Sequence, residues 1–442
     1  MSSAPAVEAI ASIAPSSAEL KGRSGPRPLS LRWNGIWTLA GNGVYALSQW
    51  LQIAILARLG SSRDVGNYAL AVGLCTPVFM LANLQLRPIQ ATDSQQKYRF
   101  SEYLGLRVIT SSLALALVVI IGAISFRTME MTLLVTLVAA FRAFESISDI
   151  YIGLLQQRER MDRAAVSFGF KGALILVLFA LAYRVTHNVL ASAAAAAMAQ
   201  LITLLVYDLR AARWAVQDNS GKPHSSVRLT PELGSKLRKL AWHAFPLGVS
   251  MMLSSLYGNL PRFALARYSG PNAVGVYAAL TYLANIPTIA VNAVGTAASP
   301  ALARFDAAGL ASNFRRLLLK LALFAGAAGA IGVAIGLLYG HRLLEIVYGA
   351  EYARHSDSFI WCAAAALFSY VASTTGYGAT AMGRIAAQPW AVACATVVLL
   401  VFSVFLVPAH GITGAAISSV AAAATCFCMF FLIVSRRGND AN

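Results

Sequence analysis

Leu56-Ala57-Arg58, six residues, then Val65-Gly66-Asn67-Tyr68-Ala69: this stretch returns as Leu265-Ala266-Arg267, six residues, then Val274-Gly275-Val276-Tyr277-Ala278. The offset is 209 residues throughout, with no gap. Trp33 and Trp242, Leu51 and Leu260, Leu74 and Leu283, and Asn83 and Asn292 match at the same offset. Agreement of this kind at one fixed spacing marks an internal duplication. Each copy joins the end of one apolar segment to the start of the next.

The composition says what those segments are. Of 442 residues, 58% are apolar and 12% charged, where a soluble protein has about 45–50% and 25%. That leaves too little polar surface to cover a water-soluble globule. The apolar residues fall in twelve blocks between Gly35 and Val434, each near the ~20 residues that a hydrocarbon core of ~30 Å selects. The composition excludes a soluble enzyme, a disordered chain and a disulfide scaffold. The expected fold is an all-α integral membrane protein with about twelve transmembrane helices. Cys75, Cys362, Cys394, Cys426 and Cys428 lie in apolar stretches with no metal-ligand spacing, so no metal and no cofactor are expected.

Net charge is +17. In a membrane protein this excess belongs to cytoplasmic loops, not to nucleic acid. With both termini inside, 25 of the 35 Lys and Arg fall on the cytoplasmic side and eight outside. Arg142 and Lys171 fall within spans. Six segments separate the two copies of the repeat, an even number, so both copies run in the same direction. The duplication is therefore parallel, and two six-helix bundles related in this way place a substrate path at their interface. The expected organisation is a disordered cytoplasmic tail over 1–32, a first bundle over 33–209, and a cytoplasmic linker over 210–240, within a polar stretch opened by Asp208. A second bundle over 241–435 and a short cytoplasmic tail over 436–442 follow.

The repeated turn has a local physical content. Arg58 and Arg267 end a span where a guanidinium reaches lipid phosphates. Gly66 and Gly275 open the next helix and allow close packing. Tyr68 and Tyr277 follow one step in, at the expected aromatic belt. Taken as a pair, one per half, the LARx6VGxY elements resemble those of the polysaccharide and O-antigen flippases. These belong to the multidrug/oligosaccharidyl-lipid/polysaccharide flippase superfamily. The resemblance runs from Trp33 to Val434. It departs where Pro261-Arg262 stands in place of an Asp-Arg pair, and where the first turn is Gly60-Ser61-Ser62-Arg63-Asp64. It implies a flippase that moves a polyprenyl-pyrophosphate-linked oligosaccharide repeat unit across the bacterial inner membrane by alternating access. It implies no enzymatic step. Membrane lipids, a glycan polymerase and other assembly proteins are the expected partners.

Ionisable residues within spans are costly and mark function or pairing. Arg142, Glu145 and Asp149 share one face of the fourth segment, at spacings of three and seven. Arg142 lies about 20 Å from the cytoplasmic end, near the midplane. Asp149 and Lys171 lie at matching depth on neighbouring spans. The expected pairs are therefore Arg142 with Glu145 and Asp149 with Lys171. The alternative is that Arg142 or Lys171 faces the cavity to bind phosphate, and that Glu145 or Asp149 takes a coupling proton. Arg262, Asn42, Asn83 and Asn259, on the first, second and seventh spans, are further candidates for substrate contact.

Two competing functions remain at this level. One is a drug or cation antiporter of the same superfamily, which would need an acidic cavity. The other is a membrane-embedded glycan polymerase or ligase, which would need a nucleophile and base at workable spacing; the six histidines are scattered. No GxxxxGK[ST] stretch is present to hold a nucleotide. A parallel duplication puts both repeat turns on one side of the membrane. Single cysteines at Arg63 and Asn272 should then both react with an impermeant thiol reagent from the outside; reaction from opposite sides would end the parallel reading.

Overall fold

A bilayer leaves backbone polar groups no water to bond, so a spanning chain must be helical or a closed barrel. The computed structural model describes residues 31–216, except 94, 96 and 127, and residues 231–435; among these there are helices and no strands. The first half holds α1 (Leu31–Leu59), α2 (Ser62–Asn83), the short α3 (Leu86–Thr92), α4 (Phe100–Ser125), α5 (Met129–Gln157) and α6 (Met161–Thr186). Its last helix, α7, runs Val189–Thr203, passes through a π-helical turn at Leu204–Asp208, and continues as Leu209–Val216. The second half holds α8 (Pro231–Tyr268), α9 (Gly270–Ala284), α10 (Thr288–Ala307), α11 (Ala311–Val347), the single turn α12 (Ala350–Ala353), α13 (Ser356–Ala381) and α14 (Gln388–Ser435).

Among the described residues, eight helical stretches are long and apolar enough to cross a membrane, and α9 with α10, bent by 44°, is a ninth if the pair makes one span. The chain is a multi-pass membrane protein. The expected count of about twelve turns on three remaining features. Helices α1 and α8 have spanning length, 29 and 38 residues, but a more polar composition. Helix α14 is two arms that meet at Gly411 (φ 54°, ψ −122°), just after Pro408. Both ends of the expected 210–240 linker are helical, as parts of α7 and α8. Residues 217–230, residues 1–30 of the N-terminal tail and the 436–442 tail lie outside the described residues.

The two repeat turns meet each other. A methyl placed on Gly66 would overlap the carbonyl of Pro271 and touch the amide nitrogen of Gly275; one placed on Gly275 would overlap the carbonyl of Ser62 and touch the amide nitrogen of Gly66. Ser62 and Pro271, like Gly66 and Gly275, stand 209 residues apart. The contact between α2 and α9 is thus reciprocal, backbone against backbone. The two turns start their helices differently. Ser61 and Asp64 form a capping box at α2. Tyr183 adds a hydrogen bond to Asp64 (2.9 Å). At α9, Gly270 takes φ 82° and Pro271 follows in the first turn.

Around this contact the halves are tied by hydrogen bonds. The Arg58 guanidinium donates to the carbonyls of Val347 (3.2 Å) and Ile346, which end α11. It therefore caps a helix of the other half, where the sequence suggested a lipid anchor; a cation at a helix C-terminus meets the negative end of the dipole. Trp50 donates to the Tyr348 hydroxyl (2.9 Å), which donates in turn to the Ala279 carbonyl (3.0 Å). Tyr68 and Tyr277 are buried, not set in an aromatic belt. The Tyr68 hydroxyl donates to Gln52 (3.0 Å), and Tyr277 shares a hydrogen bond with Ser419 (2.8 Å). The largest apolar core spans both halves here, while smaller clusters hold the rest of the second half.

Because the opposing atoms at Gly66 are backbone, a side chain there must push the helices apart. Gly66→Ala and Gly275→Ala should each cost about 1–3 kcal/mol, read as a lowered thermal midpoint in detergent. Gly105→Ala, where an added methyl meets nothing within 4 Å, should be neutral or stabilising.

Candidate functional site

Two cavities lie near Tyr282 of α9, which lines the first, while Arg262 of the second lies over its ring. The first, about 470 Å³ counting the space at its mouth, is lined by Gln49, Gln52, Tyr68, Phe141, Arg142 and Tyr282. The second, about 640 Å³ on the same measure, is lined by Tyr257, Arg262, Thr281, Asn285, Ser369 and Ser419, among others. Helix α1 supplies Gln49 and Gln52 to one cavity, and α8 supplies Tyr257 and Arg262 to the other.

Each cavity presents one arginine and no carboxylate in its wall. Arg142 pairs with Glu145 at 2.6 Å, as their spacing predicts. Glu145 also accepts from the Tyr45 hydroxyl of α1. The Arg142 Nε is buried without a partner among the described residues. Arg262 donates to the Asn259 amide oxygen (3.0 Å), and its guanidinium lies 5.2 Å from the Tyr282 ring centroid. Its Nε is likewise buried without a partner among the described residues. Tyr282 thus lines the cavity of Arg142 and lies under the guanidinium of Arg262, one arginine from each half. Arg262, a candidate for substrate contact in the sequence, lines the second cavity. Asn259 holds Arg262 and is itself buried.

The expected Asp149–Lys171 pair does not form. Asp149 is held by Arg87 (3.0 Å) and Arg107 (3.6 Å), and Arg107 also donates to Asn83. Arg107 is fully buried, although the sequence reading left it in a cytoplasmic loop. It lies in α4 because that helix begins at Phe100, about two turns before the apolar run. Lys171 is 1% exposed and donates to the Ser148 hydroxyl (3.0 Å). Ser148 and Ser167 each donate to Asp208 (2.5 Å each), which is 1% exposed in the π-helical turn of α7. The counter-charge of Lys171 is therefore Asp208, reached through a serine. Asp208 lies inside α7, in its π-helical turn, and does not open a polar linker. Lys171 lines neither cavity, and the rings of Tyr45 and Phe168 cover its ammonium at 5.4 and 5.1 Å. Asn42 is exposed on α1 and also lines neither cavity, as does Asn83. Arg267 is exposed, near the Tyr268 ring.

Sequence reasoning missed Arg87, Arg107 and Asp208. Arg87 and Arg107 flank apolar runs and read as loop charges. In this cluster Arg87, Arg107, Arg142 and Lys171 face Glu145, Asp149 and Asp208.

The helical fold, with a cavity in each half, defines a polytopic helical membrane protein. An inward closed conformation of the lipid II flippase MurJ is similar with a TM-score of 0.71, at 11% identity, over 90% of this chain and 87% of that one. An inward-facing multidrug resistance transporter of the MATE family is similar at 0.61, with 17% identity, over 92% and 95%. In sequence, the capsular polysaccharide biosynthesis protein CapF of Staphylococcus aureus is 24% identical over 387 residues, 86% of this chain and 93% of that protein. Residues 31–306 match the polysaccharide biosynthesis protein family. The chain belongs to that family.

Removing one member of a buried charged pair strands the other. Lys171→Met and Asp208→Asn should each lower stability by about 3–5 kcal/mol, and the double variant should recover much of that. Thermal unfolding of the three variants in detergent tests the assignment; additive losses would show that the two residues do not share a network.

Proposed function

We propose that the protein is a flippase. It carries a polyprenyl-pyrophosphate-linked oligosaccharide repeat unit from the cytoplasmic to the outer leaflet of a bacterial inner membrane, for O-antigen, capsule or exopolysaccharide. The observation that carries this reading is the pair of arginines at Tyr282, one from each half, in cavity walls that contain no carboxylate. A guanidinium matches phosphate through paired, planar donors. A cationic drug would need an acidic wall, and Glu145, the acid close by, is already engaged by Arg142 and Tyr45. The antiporter alternative is therefore the weaker one. Family membership and the MurJ-like fold support the same conclusion.

In this reading the chain crosses the membrane twelve times with both termini inside, and the two bundles rock about the Gly66–Gly275 contact. Arg142 and Arg262 attract the pyrophosphate into the seam between halves. Glu145 is the coupling residue: loss of its charge releases Arg142 from its intramolecular partner and makes the guanidinium free for ligand. A glycan polymerase and other assembly proteins take up the product.

Deleting the gene should cause lipid-linked repeat units to accumulate on the cytoplasmic leaflet, with loss of surface polysaccharide. Normal glycan with altered drug tolerance would point to an antiporter. Arg142→Ala and Arg262→Ala should each reduce export about 10- to 100-fold, the consequence of losing a charge-assisted hydrogen bond of about 1.5–3 kcal/mol. Full export in both variants would remove the arginines from the path.

A further inference from the structure

We infer that the second-half cavity is the glycan subsite of the transported lipid, separate from the pyrophosphate subsite at Arg142. This inference rests on the flippase reading and assigns a part of the substrate to a part of the wall.

The two cavities differ in chemistry. The first is narrow and amide-rich, with Arg142 and its Glu145 partner at one end. The second is wider and carries hydroxyl groups on several helices: Tyr257 from α8, Thr281 from α9, Ser369 from α13 and Ser419 from α14, with the Asn285 amide at the α9–α10 bend. Hydroxyls that both donate and accept suit a ligand that is itself a polyol. Tyr257 adds an aromatic face, the surface on which the apolar side of a sugar ring packs, and neighbouring Leu399 and Ala365 keep the floor dry. Its enclosed space, about 150 Å³, exceeds the first cavity's, about 30 Å³.

Geometry joins the two subsites in one ligand. Tyr282 forms a wall of the first cavity, while Arg262 of the second lies over its ring at 5.2 Å. The pyrophosphate and the sugar next to it therefore meet near this tyrosine, with Arg262 at the boundary. Several groups at the second site are mutually satisfied without ligand: Tyr277 with Ser419, and Asn285 with the Thr281 carbonyl. The buried Arg262 Nε has no partner among the described residues and is left for the ligand.

Thiol protection tests the assignment. In a full-length protein with its five cysteines replaced by alanine and glycan export retained, Ser369→Cys reports on the second cavity and Gln49→Cys on the first. Each is labelled with N-ethylmaleimide in proteoliposomes. The probes are undecaprenyl pyrophosphate, and the polyprenyl-pyrophosphate-linked oligosaccharides extracted from source cells that lack the protein. The glycan-bearing lipid at about ten times its dissociation constant should slow labelling at both reporters about tenfold, in proportion to occupancy. Undecaprenyl pyrophosphate should protect Gln49→Cys and leave Ser369→Cys unchanged. Equal protection of Ser369→Cys by both probes, or by neither while Gln49→Cys is protected, overturns the glycan subsite and leaves the flippase reading standing. No protection of either reporter by either probe overturns both.

Discussion

Helices α2 and α9 touch through their backbones at Gly66 and Gly275, and most of the architecture follows from that approach. Lipid offers no hydrophobic drive for helix association, so packing depends on how closely the surfaces fit. Without a Cβ at either position, each helix comes within contact of the other's carbonyl and amide groups. The same two helices carry Tyr68 and Tyr282, which line the first cavity. Arg58, one turn earlier in the chain, then lies where it caps α11, and Trp50 where it reaches Tyr348. The glycine contact thus sets both the tie between halves and the place where their cavities meet.

The distribution of charge follows from the cost of burial. An isolated ion in a low-dielectric interior is too costly to persist, so it is paired, shared or neutralised. In the first half, Asp149 serves two arginines, Asp208 serves Lys171 through Ser148, and Glu145 serves Arg142 and Tyr45. These networks lock α1, α5, α6 and α7 together. In the second half the cavity-facing cation is Arg262, held by a neutral amide and a ring. The first half is stiffened by ion networks. The second offers a wider, hydroxyl-lined space. An unequal pair of halves around a common contact suits a substrate with two unlike ends.

Several site features were legible before the fold was known because they are local. The Arg142–Glu145 pair lies three residues apart on one helix, and helical geometry alone brings the two together. Asp149 and Lys171 could be placed at similar depth, but depth says nothing about rotation around the bundle axis. The rotation sends Asp149 to Arg87 and Arg107, and Lys171 to Asp208. Arg107 was hidden for a different reason: its flanking position at the start of an apolar run looks the same whether the helix begins there or two turns earlier. Tyr68 and Tyr277 were misplaced in the aromatic belt because a span-end tyrosine can face lipid or protein, and the local pattern is the same in both cases.

From the order of residues alone came the class of protein, its helical character, the duplication at 209 residues and the glycines that matter in it. All of these depend on composition, on period or on identity at a fixed spacing, which survive without coordinates. Only the tertiary structure decided that the two glycines meet each other, that Asp208 is the counter-charge of Lys171, and that Arg142 and Arg262 share Tyr282. Those are relations between residues far apart in the chain, as is the Trp50–Tyr348 hydrogen bond, which joins positions 298 apart. They depend on which face each helix turns to its neighbours, and that is set by the packing of all the helices at once.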